Sequence, residues 1–258
     1  DTDRSRGLGD VYKRQYMNGP ILSIITVNFN NNLGLLKTLE SVSSQSFSSY
    51  EHIIIDAGST DGSRETIIQY EKENPHLSFW SSESDKGIYD GMNKGIDHAK
   101  GQYLYFLNSG DCLSQDILAK IPFDGTEYLY GDTILFYKRK TKKRVYPDTL
   151  DLIYLSDNSL HHQSCFIHHT LFKDKRYDIN YKIISDWAHC FQCLIIENRT
   201  YRHLPYIISE CDGRGISSNG KELNQERTLW FQNTFPATQS KVFIDCAAPV
   251  SYTHLTLP

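Results

Sequence analysis

The chain has 258 residues, of which 22% are charged and 39% hydrophobic, and its formal net charge is −4. This balance is typical of a globular protein that buries a core, and it lacks the basic surplus expected of a nucleic-acid-binding protein. No apolar run approaches the roughly 20 residues that cross a bilayer, which leaves peripheral contact as the route to a membrane. Six cysteines do not make a disulfide scaffold in so long a chain, so reduced thiols and a cytoplasmic location are expected.

Both ends of the chain differ from its middle. Residues 1–16 are polar and without periodicity ahead of Met17, and residues 246–258 break from the sequence before them. Both stretches resemble translated adapter sequence, so we expect a non-native leader and tail, with the native C-terminus missing beyond about Asp245. Residues 17–112 and 113–245 are then expected to form two halves of one domain.

The first half alternates predicted strands and helices. Four short runs, apolar and rich in β-branched or aromatic residues, are predicted strands: 22–29, 51–57, 77–80 and 101–107. Three segments with apolar residues at three- and four-residue steps are predicted helices: 33–42, 59–73 and 88–99. This order predicts an α/β fold with a mostly parallel sheet and helices on both faces.

The alternation fades after about residue 112. Strands are predicted at three runs, 128–137, 164–168 and 206–211, and a helix at 187–196. The basic run KRKTKKR at 138–144 is predicted to be a solvated hairpin tip, and residues 212–220 a loop. The second half therefore reads as an acceptor-side elaboration of the same domain.

Oxygen-bearing side chains follow three predicted strands. Asp56 ends the second strand, Asp85 and Lys86 follow the third, and Asn108 and Asp111 follow the fourth. Carboxyl ends of parallel strands form the ligand-binding edge of an open α/β sheet, so we expect these groups at one cleft. There the last two could hold a hard divalent cation, and the lysine could contact a phosphate.

Plainer interpretations exist for the same segments. Polar turn chemistry explains residues 108–111, and helix capping explains Ser59 or Asp61, although it does not explain the acid at position 56. Asp186, just before Trp187 at a helix start, is either an N-cap or a carboxylate suited to general-base work.

Three further patterns are weaker. Histidines and a cysteine between 161 and 169 suggest zinc, yet 164–168 reads as a strand whose side chains alternate between faces. Cys190 and Cys193 are expected to be buried thiols rather than a redox pair. Residues 215–221 match most of a phosphate-binding loop, but Glu222 stands where that loop needs Ser or Thr, and no convincing helix core follows.

Seven segments together resemble glycosyltransferase family two, the inverting GT-A enzymes that extend bacterial polysaccharides and lipopolysaccharides. The segments are LSIITVNFNN (22–31), IIIDAGSTDGS (53–63), ESDKGIYDGMNKGI (83–96), YLYFLNSGD (103–111), HHQSCFI (161–167), YKIISDW (181–187) and GISSNG (215–220). The resemblance covers about residues 20–235. It implies a GT-A fold, with a Rossmann-like, mostly parallel central sheet and an acceptor-side C-terminal elaboration.

The resemblance also implies roles for individual residues. Thr26, Asn28 and Asp56 would cradle the nucleoside, with Asp56 reading a uracil-type base edge, and Asp85 would lie by the ribose or diphosphate. Asp186 stands at the position of the family's catalytic base. Asn108 and Asp111 would bind Mg²⁺ or Mn²⁺. The sugar and acceptor pocket would be lined by His162, Gln163 and Trp187.

One departure from the family pattern bears on the metal. The usual acidic motif has Asp where this chain has Asn108, and Gly110 replaces another common Asp. The site has lost negative charge, so weaker metal affinity is expected. The expected partners are a nucleotide-sugar donor, a glycan or lipid-linked acceptor and a peripheral membrane contact at the inner face; the oligomeric state is left open.

Two other classes of function stay open. A sugar-1-phosphate nucleotidyltransferase would need a Gly-rich, basic phosphate loop after the first strand, where residues 28–33 read NFNNNL. A degenerate nucleotide-sugar-binding module is suggested by Asn108, whereas the acids at 56, 111 and 186 argue against it.

Overall fold

One mixed sheet organises the chain in the computed structural model, which describes residues 19–215 and 220–247. The strands are β1 (Leu22–Asn28), β2 (Tyr50–Asp56), β3 (Leu77–Ser82), β4 (Tyr103–Phe106), β5 (Cys112–Leu113), β6 (Tyr128–Tyr137), β7 (Lys140–Arg144), β8 (Cys165–His168) and β9 (Tyr201–Asp212). The helices are α1 (Asn32–Ser43), α2 (Ser63–Glu73), α3 (Ile88–His98), α4 (Leu152–Asp157), α5 (Ser185–Phe191), α6 (Gly220–Thr234) and α7 (Ala237–Ala247).

The strand order is β3-β2-β1-β4-β8-β6-β9-β5, with β7 paired to β6. The first four strands are parallel, β8 runs antiparallel to both of its neighbours, and β6 and β9 are parallel. The predicted α/β fold with a mostly parallel sheet is confirmed. The predicted leader, and the tail beyond residue 247, lie outside the described residues.

Helices cover both faces of the parallel half. Strands β1 and β2 are buried at every position, as expected for parallel strands between two helical layers. Helix α3 packs on one face, and α1 and α2 pack on the other. Close packing of α3 depends on Gly95, because a Cβ there would come within 2.4 Å of Ile25. The elements predicted for this half are confirmed, although α2 begins only at Ser63.

The second half departs further from the sequence-based predictions. Strand β9 begins five residues earlier than predicted, because it pairs with β6 along most of its length. The helix predicted at 187–196 begins at Ser185 and continues beyond Phe191 as a π-helix over Gln192–Ile196. The basic run is mostly strand β7 rather than a bare hairpin tip.

The expectation that no helix core follows Gly220 is wrong. Helix α6 begins there, and it buries Arg227, Trp230 and Phe231 on one side. These aromatic rings pack against Trp187 and Phe191 of α5. Polar residues fill the rest of α6, which weakens its apolar periodicity in the sequence. Residues 216–219 of the phosphate-loop-like segment lie outside the described residues.

The aromatic contact between α5 and α6 is expected to carry much stability. Phe231→Ala should lower the free energy of unfolding by about 3–5 kcal/mol, since a buried ring would be replaced by a cavity. Urea denaturation followed by tryptophan fluorescence measures this change. Leu229→Ala on the exposed side of the same helix is the matched control, and an equal loss in the two variants would contradict the packing argument.

Candidate active site

Asp56 lies at the end of β2, directly beside Asn28 in the parallel register with β1. One carboxylate oxygen accepts from Asn28 Nδ2 at 2.7 Å and Ser59 Oγ at 2.5 Å, and the other from Ser82 Oγ at 2.6 Å and the Ser59 N–H at 2.9 Å. Burial alone would raise the pKa of this carboxyl, but the hydrogen bonds from Ser59, Ser82 and Asn28 outweigh it and hold the pKa below its usual range. The carboxylate is therefore ionised, and both of its oxygens accept hydrogen bonds from the protein, so Asp56 holds the ends of β1, β2 and β3 in place.

Asn28 keeps one group available for a ligand. Its amide nitrogen is held by Asp56, whereas its buried Oδ1 has no hydrogen-bond partner among the described residues. An unpaired buried acceptor is costly unless a ligand donor satisfies it.

Asp85 and Lys86 precede α3. Asp85 Oδ1 accepts from the Gly87 N–H at 2.9 Å, and its other oxygen lies over Gly91, beside Val27 of β1. The Lys86 side chain is exposed. This loop therefore places a carboxylate near the end of β1 and an open ammonium group at the start of α3.

Asp186 is held by two elements that are distant in sequence. His162 Nδ1 lies 2.7 Å from Asp186 Oδ2, and the Tyr89 hydroxyl of α3 donates to Oδ1 at 2.8 Å. The Trp187 N–H donates to the same Oδ1 at 2.9 Å. The N-cap of α5 is Ile184, so the capping interpretation of Asp186 is wrong.

The pKa of Asp186 reflects two opposing effects. Burial raises it, while hydrogen bonds from His162, Tyr89 and the Trp187 N–H lower it, and the pKa falls below its usual range. The side chain still has 18% of its surface exposed. Asp186 is therefore an ionised carboxylate that a small group can reach.

His162 joins Asp186 to the end of β4. The residue lies in a short 3₁₀ turn, His162–Ser164, that leads into β8, whose pairing with β4 brings the turn to that strand's carboxyl end. Asn108 Nδ2 lies 3.0 Å from His162 Nε2. Because the amide nitrogen donates, Nε2 accepts and Nδ1 carries the proton donated to Asp186. Two hydrogen-bonded groups thus lie at the carboxyl edge of the parallel strands: Asn28 with Asp56, and Tyr89, Asn108 and His162 with Asp186. These six residues are here called the edge cluster.

Helix α6 fixes the backbone segment that precedes Asp186. The Glu226 carboxylate accepts from the backbone N–H groups of Lys182 and Ile183, both at 2.9 Å, and of Ile184 at 3.3 Å. The Arg227 guanidinium lies 4.7 Å from the centre of the Trp187 ring, and burial lowers its pKa to about 10. Both residues escaped sequence reasoning because α6 was not predicted.

Tyr89 was missed for a different reason. Its segment, GIYDGMNKGI, drew attention only for its apolar spacing and its resemblance. A tyrosine two residues into a helix after a Gly at an active edge is the signal that could have found it.

Asp111 does not join the edge cluster. It is 7% exposed, and its oxygens accept from Gln163 Nε2 at 2.7 Å and the Asp212 N–H at 3.1 Å. Burial raises its pKa. In this structure the carboxylate is occupied by protein donors and is not an open ligand.

The residues near Asn108 do not fit a tightly held divalent cation. Asn108 Oδ1 and Gln163 Oε1 have no partner in the described part of the chain, but both are neutral amide oxygens, and Gly110 offers no side chain. Across residues 19–215 and 220–247, no group of three or more His, Cys, Asp or Glu residues could hold a metal ion. Tight Mg²⁺ or Mn²⁺ sites draw on carboxylates.

Two other expected residues lie in the core. Thr26 is fully buried with its hydroxyl 2.9 Å from His52 Nε2, one layer below the strand ends. Trp187 is buried, and its indole N–H donates to the Leu155 carbonyl at 2.7 Å. Neither side chain reaches the edge cluster.

Comparisons with known proteins identify the family of this chain. The family model described as Glycosyl transferase family 2 matches residues 23–184. A glycosyltransferase of Mycobacterium tuberculosis is 42% identical over 103 residues, which span 39% of this chain but only 38% of that relative. A PGL/p-HBAD biosynthesis glycosyltransferase of Mycobacterium bovis is 28% identical over 211 residues, 79% of this chain and 81% of the relative.

Solved structures share the fold at low identity. S. aureus TarS 1-349 in complex with UDP has a TM-score of 0.64 at 16% identity, over 86% of this chain and 69% of that one. A mannosyltransferase from Pyrobaculum calidifontis in complex with GDP-Man and Mn²⁺ has a TM-score of 0.63 at 13% identity, over 96% and 78%. At such identities the likeness concerns the fold.

Proposed function

The chain belongs to glycosyl transferase family 2; on that premise we propose that it is a glycosyltransferase, an inverting enzyme that uses a nucleotide diphosphate sugar. The donor is UDP-linked, and the acceptor is a hydroxyl of a glycan or lipid-linked carrier in cell-surface polysaccharide synthesis. The enzyme works at the cytoplasmic side, in peripheral contact with the membrane.

The observation that carries this proposal is the edge cluster. Asn28 and Asp56 join the ends of β1 and β2. Hydrogen bonds from Asn108 through His162 then lead from β4 to Asp186 at the start of α5. Sugar transfer needs a site for the nucleotide-sugar donor, here called the donor side, and a general base for the acceptor hydroxyl. The edge cluster supplies residues for both.

We assign the donor side to the loops after β1, β2 and β3. The free Oδ1 of Asn28 accepts a hydrogen bond from the nucleoside, and Asp56 keeps that amide oriented. Asp85 lies by the ribose or diphosphate. The exposed Lys86 ammonium and the N-terminal end of α3 face the diphosphate, since cations and helix N-termini favour anions.

We assign the base to Asp186. Its Oδ2, which accepts from His162 and from no other group in the described part of the chain, takes the proton of the acceptor hydroxyl as that oxygen bonds to the anomeric carbon. The bond from this carbon to the diphosphate oxygen breaks in the same displacement, so the anomeric configuration inverts. His162 acts as a positioning residue through Nδ1, and Tyr89 fixes the other oxygen. Gln163, with a free Oε1, lines the sugar side.

The stereochemistry tests the proposal directly. With an α-linked UDP-sugar and an acceptor alcohol, the NMR coupling of the product's anomeric proton should report a β linkage. A retained configuration would overturn the single displacement, and UDP binding without transfer would favour the degenerate binding module.

Divalent cations are expected to matter little to the wild-type protein. Mg²⁺ or Mn²⁺ would be held weakly, because the Asn108 side chain contributes only a neutral oxygen. Asn108→Asp adds a carboxylate there, so Mn²⁺ should tighten UDP binding to the variant about tenfold more than to the wild type. Calorimetry with and without Mn²⁺ measures the effect. Asn224→Asp, on the exposed side of α6, is the control, and an unchanged Mn²⁺ effect in Asn108→Asp would remove position 108 from the cation's surroundings.

A further inference from the structure

A strongly basic hairpin stands apart from the edge cluster. It comprises residues 138–144 and carries six Lys or Arg side chains within seven positions, and we call it the basic hairpin. The whole chain has a net charge of −4, so without these six positive charges the remainder would carry −10. The basic hairpin therefore carries a sign of charge opposite to the net charge of the rest of the chain.

The fold places the basic hairpin on the acceptor half. Strand β6 pairs with β8 only through Tyr128–Tyr130, and then runs on to pair with β7 from Thr133 to Tyr137. Phe136 lies opposite Asp212 of β9, and the Asp212 N–H binds Asp111, which is bonded to Gln163. The hairpin thus extends the sheet beyond Asp212 of β9, which is linked through Asp111 to Gln163, the residue next to His162.

Half of its cations are already used by the protein. Lys143 pairs with the buried Asp132 at 3.2 Å, Arg144 donates to Asn158 Oδ1 at 2.8 Å, and Lys140 lies 5.5 Å over the Tyr137 ring. These contacts fix the hairpin to the sheet.

The other three cations are Lys138, Arg139 and Lys142. All are exposed, and none has an ion-pair partner within residues 19–215 and 220–247. Two exposed apolar side chains lie on the same hairpin: Phe136, one residue pair from the turn, at 44% exposure, and Val145, just after β7, at 59% exposure. Exposed cations together with exposed apolar side chains on one hairpin match an interface of anionic headgroups over hydrocarbon.

We propose that the basic hairpin docks the enzyme on the anionic surface of a lipid bilayer, which brings the edge cluster to a lipid-linked acceptor. The second part of this statement rests on the proposed function. Within the described residues, no helix could span a bilayer. The contact proposed is electrostatic and superficial. Each Lys or Arg near an anionic membrane favours binding about fivefold, and three free cations about 100-fold. Salt should weaken this attraction.

The experiment measures co-sedimentation of the full chain with vesicles. Phosphatidylcholine vesicles are compared with vesicles that also contain phosphatidylglycerol, at low and high salt. The variant Lys138→Gln/Arg139→Gln/Lys142→Gln should bind the anionic vesicles about 100-fold more weakly than the wild type. The matched control, Lys72→Gln/Lys120→Gln/Lys173→Gln, removes three exposed charges elsewhere and should bind as the wild type does. UDP affinity should be equal in all three proteins.

Several outcomes would overturn the proposal. Equal vesicle binding by the hairpin variant and the control would place the contact elsewhere. Binding to soluble polyphosphate but not to anionic vesicles would identify a polyanionic acceptor chain as the occupant. Self-association of the hairpin variant with unchanged vesicle binding would show that the charges guard an exposed strand edge. Transfer to a soluble acceptor alcohol reports separately on the proposed function, because it needs no membrane.

Discussion

Replacing Asp186 with Asn is expected to lower kcat for sugar transfer by about 10²–10⁴-fold while UDP affinity stays near the wild-type value. The amide keeps the shape of the side chain but cannot take a proton from the acceptor hydroxyl, and a general base contributes about that factor. The proposed nucleotide site is at Asn28 and Asp56 instead, so UDP binding should not sense the change. Transfer assays and calorimetry with UDP measure the two quantities.

A matched control separates charge loss from base loss. Asp174→Asn removes an acid from an exposed position, and it should leave both kcat and UDP affinity unchanged. Near-native turnover in Asp186→Asn would reject the base assignment. A parallel loss of UDP affinity would instead indicate that Asp186 organises the donor side.

His162→Ala is expected to lower kcat about 100-fold with little change in KM for the donor, because the carboxylate of Asp186 would no longer be held in place. His162→Asn is the rescuing variant, since its amide nitrogen can occupy the place of Nδ1 and donate to Asp186. His162→Gln, whose amide reaches the place of Nε2, should not rescue. About tenfold of the lost kcat should return in the Asn variant alone.

The pH profile distinguishes positioning from general disruption. The hydrogen bond from His162 is a main cause of the lowered pKa of Asp186, while burial acts to raise it. In the wild type, activity should therefore fall with acid only below the usual titration range of Asp. In His162→Ala burial remains and the hydrogen bond is gone, so the acid limb of kcat should move to higher pH. A lower kcat with an unmoved acid limb would count against direct coupling of the two groups.

The parallel half of the fold was predictable because its signals are local. Strands β1 and β2 are buried on both faces, which makes them continuous apolar runs whatever lies around them. The acids at their ends could be placed at one edge by topology alone, since parallel strands point their carboxyl ends the same way. Residues 22–28 and 50–56 show both properties.

The second half was less predictable because its elements depend on distant partners. Helix α6 has three buried residues in an otherwise polar sequence. It is stabilised by packing on Trp187 and Phe191 of α5. Glu226 in turn supplies the cap that the start of α5 lacks, across more than 40 residues of chain. No window of local sequence contains both sides of such a contact.

The residues alone establish that the ends of β1, β2 and β4 carry oxygen-bearing side chains and that Asp186 begins a helix. Packing between elements far apart in the chain decides which of those groups can act. It turns Asp111 inward to Gln163, buries Trp187 under α6, and sets His162 between Asn108 and Asp186. The physical reason is that a side chain's direction and its pKa depend on the donors and the burial around it, and the donors at the edge cluster come from segments 24 to 97 residues away.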